Sequence, residues 1–166
     1  IKREILNSIR SDFKRKKIIV LLGARQVGKT TLLSALQADK KKVLSLNCDN
    51  IDDRLSLEDR TSTELKHLLS SYDMAFIDEA QRVKNIGLTL KMIGDLKLNT
   101  QVVVTGSSSL DMANEINEPA TGRLIEYNLY PFSLKELADA TSEREEKRLL
   151  ANRMIYGCLL YTSDAA

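Results

Sequence analysis

Residues 23–30 read Gly-Ala-Arg-Gln-Val-Gly-Lys-Thr, two glycines five positions apart with a lysine and a threonine closing the run. This is a complete G-x-x-x-x-G-K-[ST] phosphate loop, and its spelling follows from anion chemistry. Gly23 and Gly28 allow backbone conformations and close approaches that a Cβ would block, so that the N–H groups of Ala24, Arg25, Gln26 and Val27 can turn inward onto a β-phosphate. Lys29 supplies a mobile cation for the β- and γ-phosphates. Thr30 offers a hydroxyl to Mg²⁺, and with Thr31 it opens a helix whose positive end faces the anion. The loop lies directly after the apolar run Ile18-Ile19-Val20-Leu21-Leu22 and before the helix-like stretch 31–38, the strand–loop–helix setting that the motif requires. An ordinary glycine-rich turn is the bland alternative; the ligand class the setting implies is a nucleoside triphosphate with magnesium.

A second chemical run follows about fifty residues later. Met74-Ala75-Phe76-Ile77-Asp78-Glu79 is an apolar strand ending in two carboxylates, the Walker B pattern. Asp78 is expected to hold Mg²⁺, usually through water, and Glu79 to polarise the water that attacks the γ-phosphate. A base beside the metal ligand suits hydrolysis better than transfer to a small acceptor, which disfavours a P-loop kinase. A further apolar run ends Thr105-Gly106-Ser107-Ser108-Ser109. Thr105 and Ser107 are candidates to reach the γ-phosphate or the attacking water, the sensor 1 role. The alternative is that Ser108 or Ser109 caps a following helix and the others fill a turn.

The elements that must position these groups alternate along the chain. Strand-like runs fall at 17–22, 43–47, 74–77, 101–105 and 124–129; helical stretches fall near 29–38, 61–71, 86–97, 109–116, 133–139 and 143–156. Thr61 with Glu64, Ser133 with Glu136 and Ser142 with Glu145 have capping-box spacing. Such alternation implies an α/β fold, a parallel sheet with helices on both faces and the phosphate site at the strand carboxyl ends.

Composition sets the outer bounds. The 166 residues are 43% hydrophobic and 29% charged, enough for one good core. No apolar run approaches the length of a membrane span, and Cys48 and Cys158 suit a reduced, cytoplasmic setting rather than a disulfide framework. Cys48 is expected to be a small buried apolar residue. The net charge is +2, yet residues 1–17 carry seven basic residues against Glu4 and Asp12, a net of +5 that leaves −3 elsewhere. There Ile1, Ile5, Leu6, Ile9 and Phe13 recur at helical spacing. The basic residues read first as the solvated face of that helix, with contact to polyanions as the alternative.

Five segments taken in order, 21–33, Phe-Ile-Asp-Glu-Ala-Gln-Arg-Val (76–83), Val-Thr-Gly-Ser-Ser-Ser-Leu (104–110), Thr-Gly-Arg (121–123) and Tyr-Pro-Phe-Ser-Leu-Lys-Glu-Leu (130–137), closely resemble the AAA_14 ATPases. These are bacterial and archaeal proteins of the AAA+ group in which a DUF4143 domain normally follows the ATPase domain. The resemblance covers residues 1–157. It implies a P-loop NTPase three-layer αβα sandwich of AAA+ type, with a mostly parallel five-stranded sheet in the order 5-1-4-3-2. It also implies nucleotide on Gly28, Lys29 and Thr30, with Asp78 and Glu79 in the Walker B role. ATP rather than GTP rests on this resemblance; no Asn-Lys-x-Asp string occurs. Arg123 stands where such ATPases commonly keep an arginine finger, which would act within a homo-oligomer. The alternative is a structural arginine paired with an acid such as Glu126. Gln81 belongs to the Asp-Glu-Ala-Gln string without an assigned role.

The expected organisation is an ATPase core over 1–141, the start of a following helical region over 142–157, and a tail over 158–166. The tail reads as the translation of a transposon mosaic-end adapter, and Ile1 in place of Met reads as a missing start. The function expected is ATP binding with Mg²⁺-dependent hydrolysis. A nucleotide-gated switch with slow turnover, or a nucleic-acid-associated motor or loader, is the alternative.

Overall fold

The computed structural model describes residues 1, 3–38, 40–107 and 122–156, with side chains as far as residue 150. The expected helix near 109–116 and the tail 158–166 lie outside the described residues. Five strands, β1 (Ile18–Leu22), β2 (Val43–Asn47), β3 (Met74–Asp78), β4 (Gln101–Gly106) and β5 (Leu124–Asn128), form one sheet in the order β2-β3-β4-β1-β5. Read from the other edge this is 5-1-4-3-2. Every pairing is parallel, so all five carboxyl ends lie along one edge and all five amino ends along the other.

Alternation along the strands sorts the side chains onto two faces. Ile19 and Leu21 of β1, Met74 and Phe76 of β3 and Val103 of β4 point to the side covered by α1 (Ile5–Asp12) and α2 (Lys29–Gln37). Leu6, Ile9, Leu32, Leu33 and Leu36 meet them there. Ile18, Val20, Leu22, Ala75, Ile77, Val102 and Val104 point the other way, onto α4 (Ser62–Leu69) and α5 (Ile86–Asp95) through Leu65, Leu69, Ile86, Leu90 and Ile93. Strands buried on both faces read as continuous apolar runs, and all five residues of β1 are buried. The result is a three-layer αβα sandwich.

Local signals account for most element ends. Thr61 and Ser133 both close reciprocal capping boxes with Glu64 and Glu136, and Ser142 Oγ accepts from Glu145 N at 3.2 Å at the start of α7 (Glu143–Tyr156). A short α3 (Ile51–Leu55) was not expected from the pattern; Asn50 caps it by accepting from Asp52 N. At the amino terminus only Leu6 and Ile9 of the expected apolar face are buried. Ile1 is 59% exposed and lies outside the helix. The basic residues at 14–17 are not on α1: a 3-10 turn (Phe13–Arg15) and a left-handed Lys16 (φ 52°) lead them straight into β1.

The Tyr-Pro-Phe-Ser segment anchors the chain's start. Glu136 of α6 (Leu134–Ala140) is buried; its Oε2 accepts from Ser133 N at 3.0 Å and its Oε1 from Glu4 N at 2.9 Å. Arg3 lies 3.4 Å from the same carboxylate, stacks over Phe132 at 4.5 Å, and donates to the Tyr130 carbonyl. Removing one member of a buried pair leaves the other charged and uncompensated, costing about 3–5 kcal/mol, and losing a cap costs about 1 kcal/mol. Glu136→Ala is therefore expected to lower unfolding free energy by about 3 kcal/mol or more in urea denaturation. Lys135→Ala, which removes only the exposed pair to Glu4, is expected to leave the midpoint where it was.

Candidate functional site

The site grows out of the strand order. β4 lies between β1 and β3, in register with both, so the end of β4 is flanked by the loop leaving β1 and the carboxylates leaving β3. Gly23 begins that loop where backbone crowds it: a Cβ there would sit 2.7 Å from the Leu129 carbonyl oxygen. Its N–H donates to the Gly106 carbonyl at 3.3 Å, which ties the loop to the end of β4. Gln26 (φ 65°) and Gly28 (φ 90°) adopt left-handed backbone, and Val27 between them is buried in the core. Successive reversals of this kind curl a loop into a nest of inward N–H groups.

Gly28 is the N-cap of α2 and gives it no side-chain cap. The first-turn N–H groups are thus left to whatever anion sits there. Lys29 is 8% exposed, and its ammonium donates to the carbonyls of Gly23 at 2.8 Å and Ala24 at 3.0 Å. Thr30 and Thr31 are exposed at the start of the helix.

Asp78 ends β3, and Thr105 lies on the neighbouring strand β4, one position past the Ile77–Val104 pair. The Thr105 side chain is fully buried, and its hydroxyl donates to Asp78 Oδ1. Glu79 N–H donates to the same Asp78 oxygen at 3.1 Å. Glu79 itself holds left-handed backbone (φ 52°, ψ 42°), an arrangement that costs a non-glycine residue on the order of 1–2 kcal/mol. The turn aims Glu79 so that Gln81 Nε2 donates to its Oε2. Gln81 thereby acquires a contact that its place in the string did not reveal. Beneath the site Cys48 is enclosed, and burial, with Asp53 and Asp78 nearby, pushes its thiol up to about 12; it stays a neutral apolar filler.

Arg25, Gln26, Gly28, Lys29, Thr30, Thr31, Asp78 and Glu79 line one cleft of about 420 Å³ together with Asp49. Sequence reasoning missed Asp49, which pairs with Arg82 at 3.2 Å; its only signal was a position just past the end of β2. Gly23, Val27 and Thr105 are buried around the cleft. Ser107 is half-buried just beyond β4 and outside the lining. Arg123 is elsewhere. Its carbonyl accepts from Ile18 N at 3.1 Å, at the amino end of β1, and its Nε donates to Asp95 Oδ1 at 2.6 Å. A five-residue strand separates it from the phosphate loop, roughly 13 Å at 3.3 Å per residue, and it does not line the cleft of its own chain.

The sequence pattern of AAA_14, described as an AAA domain, matches residues 15–138. The chain belongs to the AAA_14 family. This AAA_14 chain is accordingly a nucleotide-binding domain of ATPase type. It is 25% identical over 144 residues to an uncharacterized protein of Mycobacterium tuberculosis, covering 86% of this chain and 32% of that one. It is 28% identical over 146 residues to an uncharacterized protein of Haemophilus influenzae, covering 80% and 36%. The AAA_14 chain thus spans about a third of the length of these curated relatives. Among solved structures, the Walker-type ATPase PABY2304 of Pyrococcus abyssi superposes with a TM-score of 0.64 at 16% identity, over 91% of this chain and 62% of that one. That likeness speaks to the fold. Among the described residues no helix is long and apolar enough to cross a membrane.

Proposed function

We infer that this domain binds ATP with Mg²⁺ and hydrolyses it to ADP and phosphate. The observation that carries the reading is the convergence, in one cleft, of a nearly buried ammonium, an uncapped helix start and two adjacent strand-end carboxylates, one of them bonded to a buried threonine. Four negative charges of a triphosphate suit the first two features, and a divalent cation suits the last. The donor set fits both ligands.

Lys29 exchanges its two carbonyl partners for phosphate oxygens, since a charge-assisted bond is roughly twice as strong as a neutral one. The loop N–H groups and the start of α2 hold the β-phosphate. Thr30 and Asp78 would hold Mg²⁺, which would supply positive charge against the phosphates. Thr105 fixes one oxygen of Asp78 and so leaves the other facing the cleft. Glu79 takes the proton of the attacking water and orients it in line with the γ-phosphate, while Gln81 restrains the carboxylate that does so.

We assign Arg123 a role in trans: in a homo-oligomer its guanidinium, released from Asp95, reaches the nucleotide of a neighbour and stabilises the charge of the transferring phosphoryl group. The support is its distance from the site of its own chain.

Glu79→Gln keeps shape and removes the base, so ATP binding with Mg²⁺ is expected to persist while turnover falls at least about 100-fold. Lys29→Ala is expected to weaken ATP binding tenfold or more by calorimetry. Full turnover in Glu79→Gln would assign the water to another residue, and unchanged affinity in Lys29→Ala would reject the phosphate loop.

Arg123→Ala is expected to bind ATP normally yet lose turnover. Mixing it with Lys29→Ala protein is expected to restore activity, because each mutant supplies what the other lacks. No restoration in confirmed mixed assemblies would reject the role in trans.

A further inference from the structure

The edge of the sheet opposite the nucleotide cleft carries a charge pattern that, Arg123 apart, the ATP chemistry proposed above does not use. Because all the strands are parallel, every segment entering a strand arrives at this amino edge. Those entering β1 and β2 are strongly basic, whereas the segment entering β3 brings only Asp73. Residues 14–17 enter β1, 40–42 enter β2, Lys97 lies in the connection to β4, and Arg123 precedes β5. Together they bring nine lysines and arginines to one edge, against Asp12, Asp39, Asp73 and Asp95 in the sequence of the same segments. With a formal charge of only +2 for the whole chain, this surplus of five positive charges leaves −3 for the remainder. The amino edge is thus more positive than the chain as a whole.

Among the described residues, Asp12, Asp73 and Asp95 are already engaged. Asp12 takes Arg15 at 3.1 Å and the Tyr127 hydroxyl at 2.6 Å, Asp73 accepts the backbone N–H groups of Lys41 and Lys42, and Asp95 holds Arg123. Among the described residues Lys14, Lys17, Lys40, Lys41, Lys42 and Lys97 make no ion pair. At the β1–β5 end the basic groups line a cleft of about 510 Å³, formed by Arg15, Lys16, Lys17, Lys97 and Arg123 with Asp95 as the single acid. Lys16 (φ 52°) and Lys97 (φ 47°) both hold left-handed backbone, which glycine or asparagine would hold with less strain. The turns do not ask for lysine; something else does.

We propose that this amino edge binds the phosphate backbone of a nucleic-acid duplex. Four inter-strand gaps of about 4.8 Å make the edge about 19 Å long, the axial length of between five and six base pairs. A row of that length with cations at both ends can neutralise about five phosphates. An anionic membrane is the rival polyanion, but a membrane-surface site adds apolar side chains that enter the lipid. The exposed large hydrophobic residues among those described, Ile1, Ile51, Leu55, Leu88, Tyr130 and Leu134, lie in none of the segments that form the edge. The basic residues come from separate segments across the sheet, so they are not the solvated face of one helix. The contact is to backbone and is independent of base sequence. It stands or falls apart from the ATPase reading, because it needs no nucleotide.

Fluorescence anisotropy of a labelled 20-base-pair DNA duplex with the intact chain, ATP absent, tests it. Binding is expected with a slope of log affinity on log salt near −4.5, so that raising salt from 50 to 200 mM weakens it about 500-fold. Lys16→Glu with Lys97→Glu is expected to weaken binding at least tenfold and to flatten the slope by about two. Lys84→Glu, the same change of charge at the carboxyl edge, is expected to bind like wild type. Should the double variant melt early, Lys41→Glu with Lys42→Glu reads the other end of the edge with the same expectation. No binding at 50 mM salt, an equal loss in Lys84→Glu, a flat salt dependence, or equal affinity for phosphatidylserine vesicles would each overturn the proposal.

Discussion

Parallel pairing of β1, β4 and β3 in register is the constraint on which the remaining features rest. It puts the loop after Leu22, the hydroxyl of Thr105 and the carboxylates of Asp78 and Glu79 along one short stretch of edge, although they are spread over more than eighty residues of the chain. The register is held by burial. Slipping one strand by one residue would exchange Ile19 and Leu21 for Val20 and Leu22 on faces packed against different helices, and both faces of β1 are closed. Thr105 is thereby kept within hydrogen-bonding reach of Asp78, with no freedom to drift from it.

The same constraint divides the molecule electrically. Segments leaving the strands bring Asp49, Asp78 and Glu79 to one edge, where a lysine and a helix start face them. Segments entering the strands bring lysines and arginines to the other. The carboxylates proposed to hold a cation and the bases proposed to hold a polyanion thus occupy opposite ends of the strands, roughly 13–16 Å apart. At that distance and physiological salt, screening leaves little direct interaction between the two.

What was legible in the sequence was local. The loop from Gly23 to Thr30 could be read because its chemistry is written in consecutive residues, and the boxes at Thr61 and Ser133 because a cap reaches only three residues ahead. Buried strands announced themselves as unbroken apolar runs, so the α/β class followed. Contacts that depend on side-chain direction did not show. Gln81 on Glu79, Thr105 on Asp78 and Asp95 on Arg123 require the turn at Glu79 or the register of strands to be known first. The α3 helix escaped because five residues carry too little periodicity to detect. The basic run at 14–17 looked like a helix face since Ile5, Leu6 and Ile9 set a helical period that in fact ends at Asp12.

The cleft is proposed to be built for a triphosphate together with a divalent cation. Calorimetric titration of ATP into the wild-type chain, with and without Mg²⁺, tests it most directly. Saturable binding at one site is expected, tightening at least tenfold when Mg²⁺ is present, since Thr30 and Asp78 are proposed to act on nucleotide only through the ion. Affinity indifferent to Mg²⁺, or no saturable binding in its presence, would contradict it.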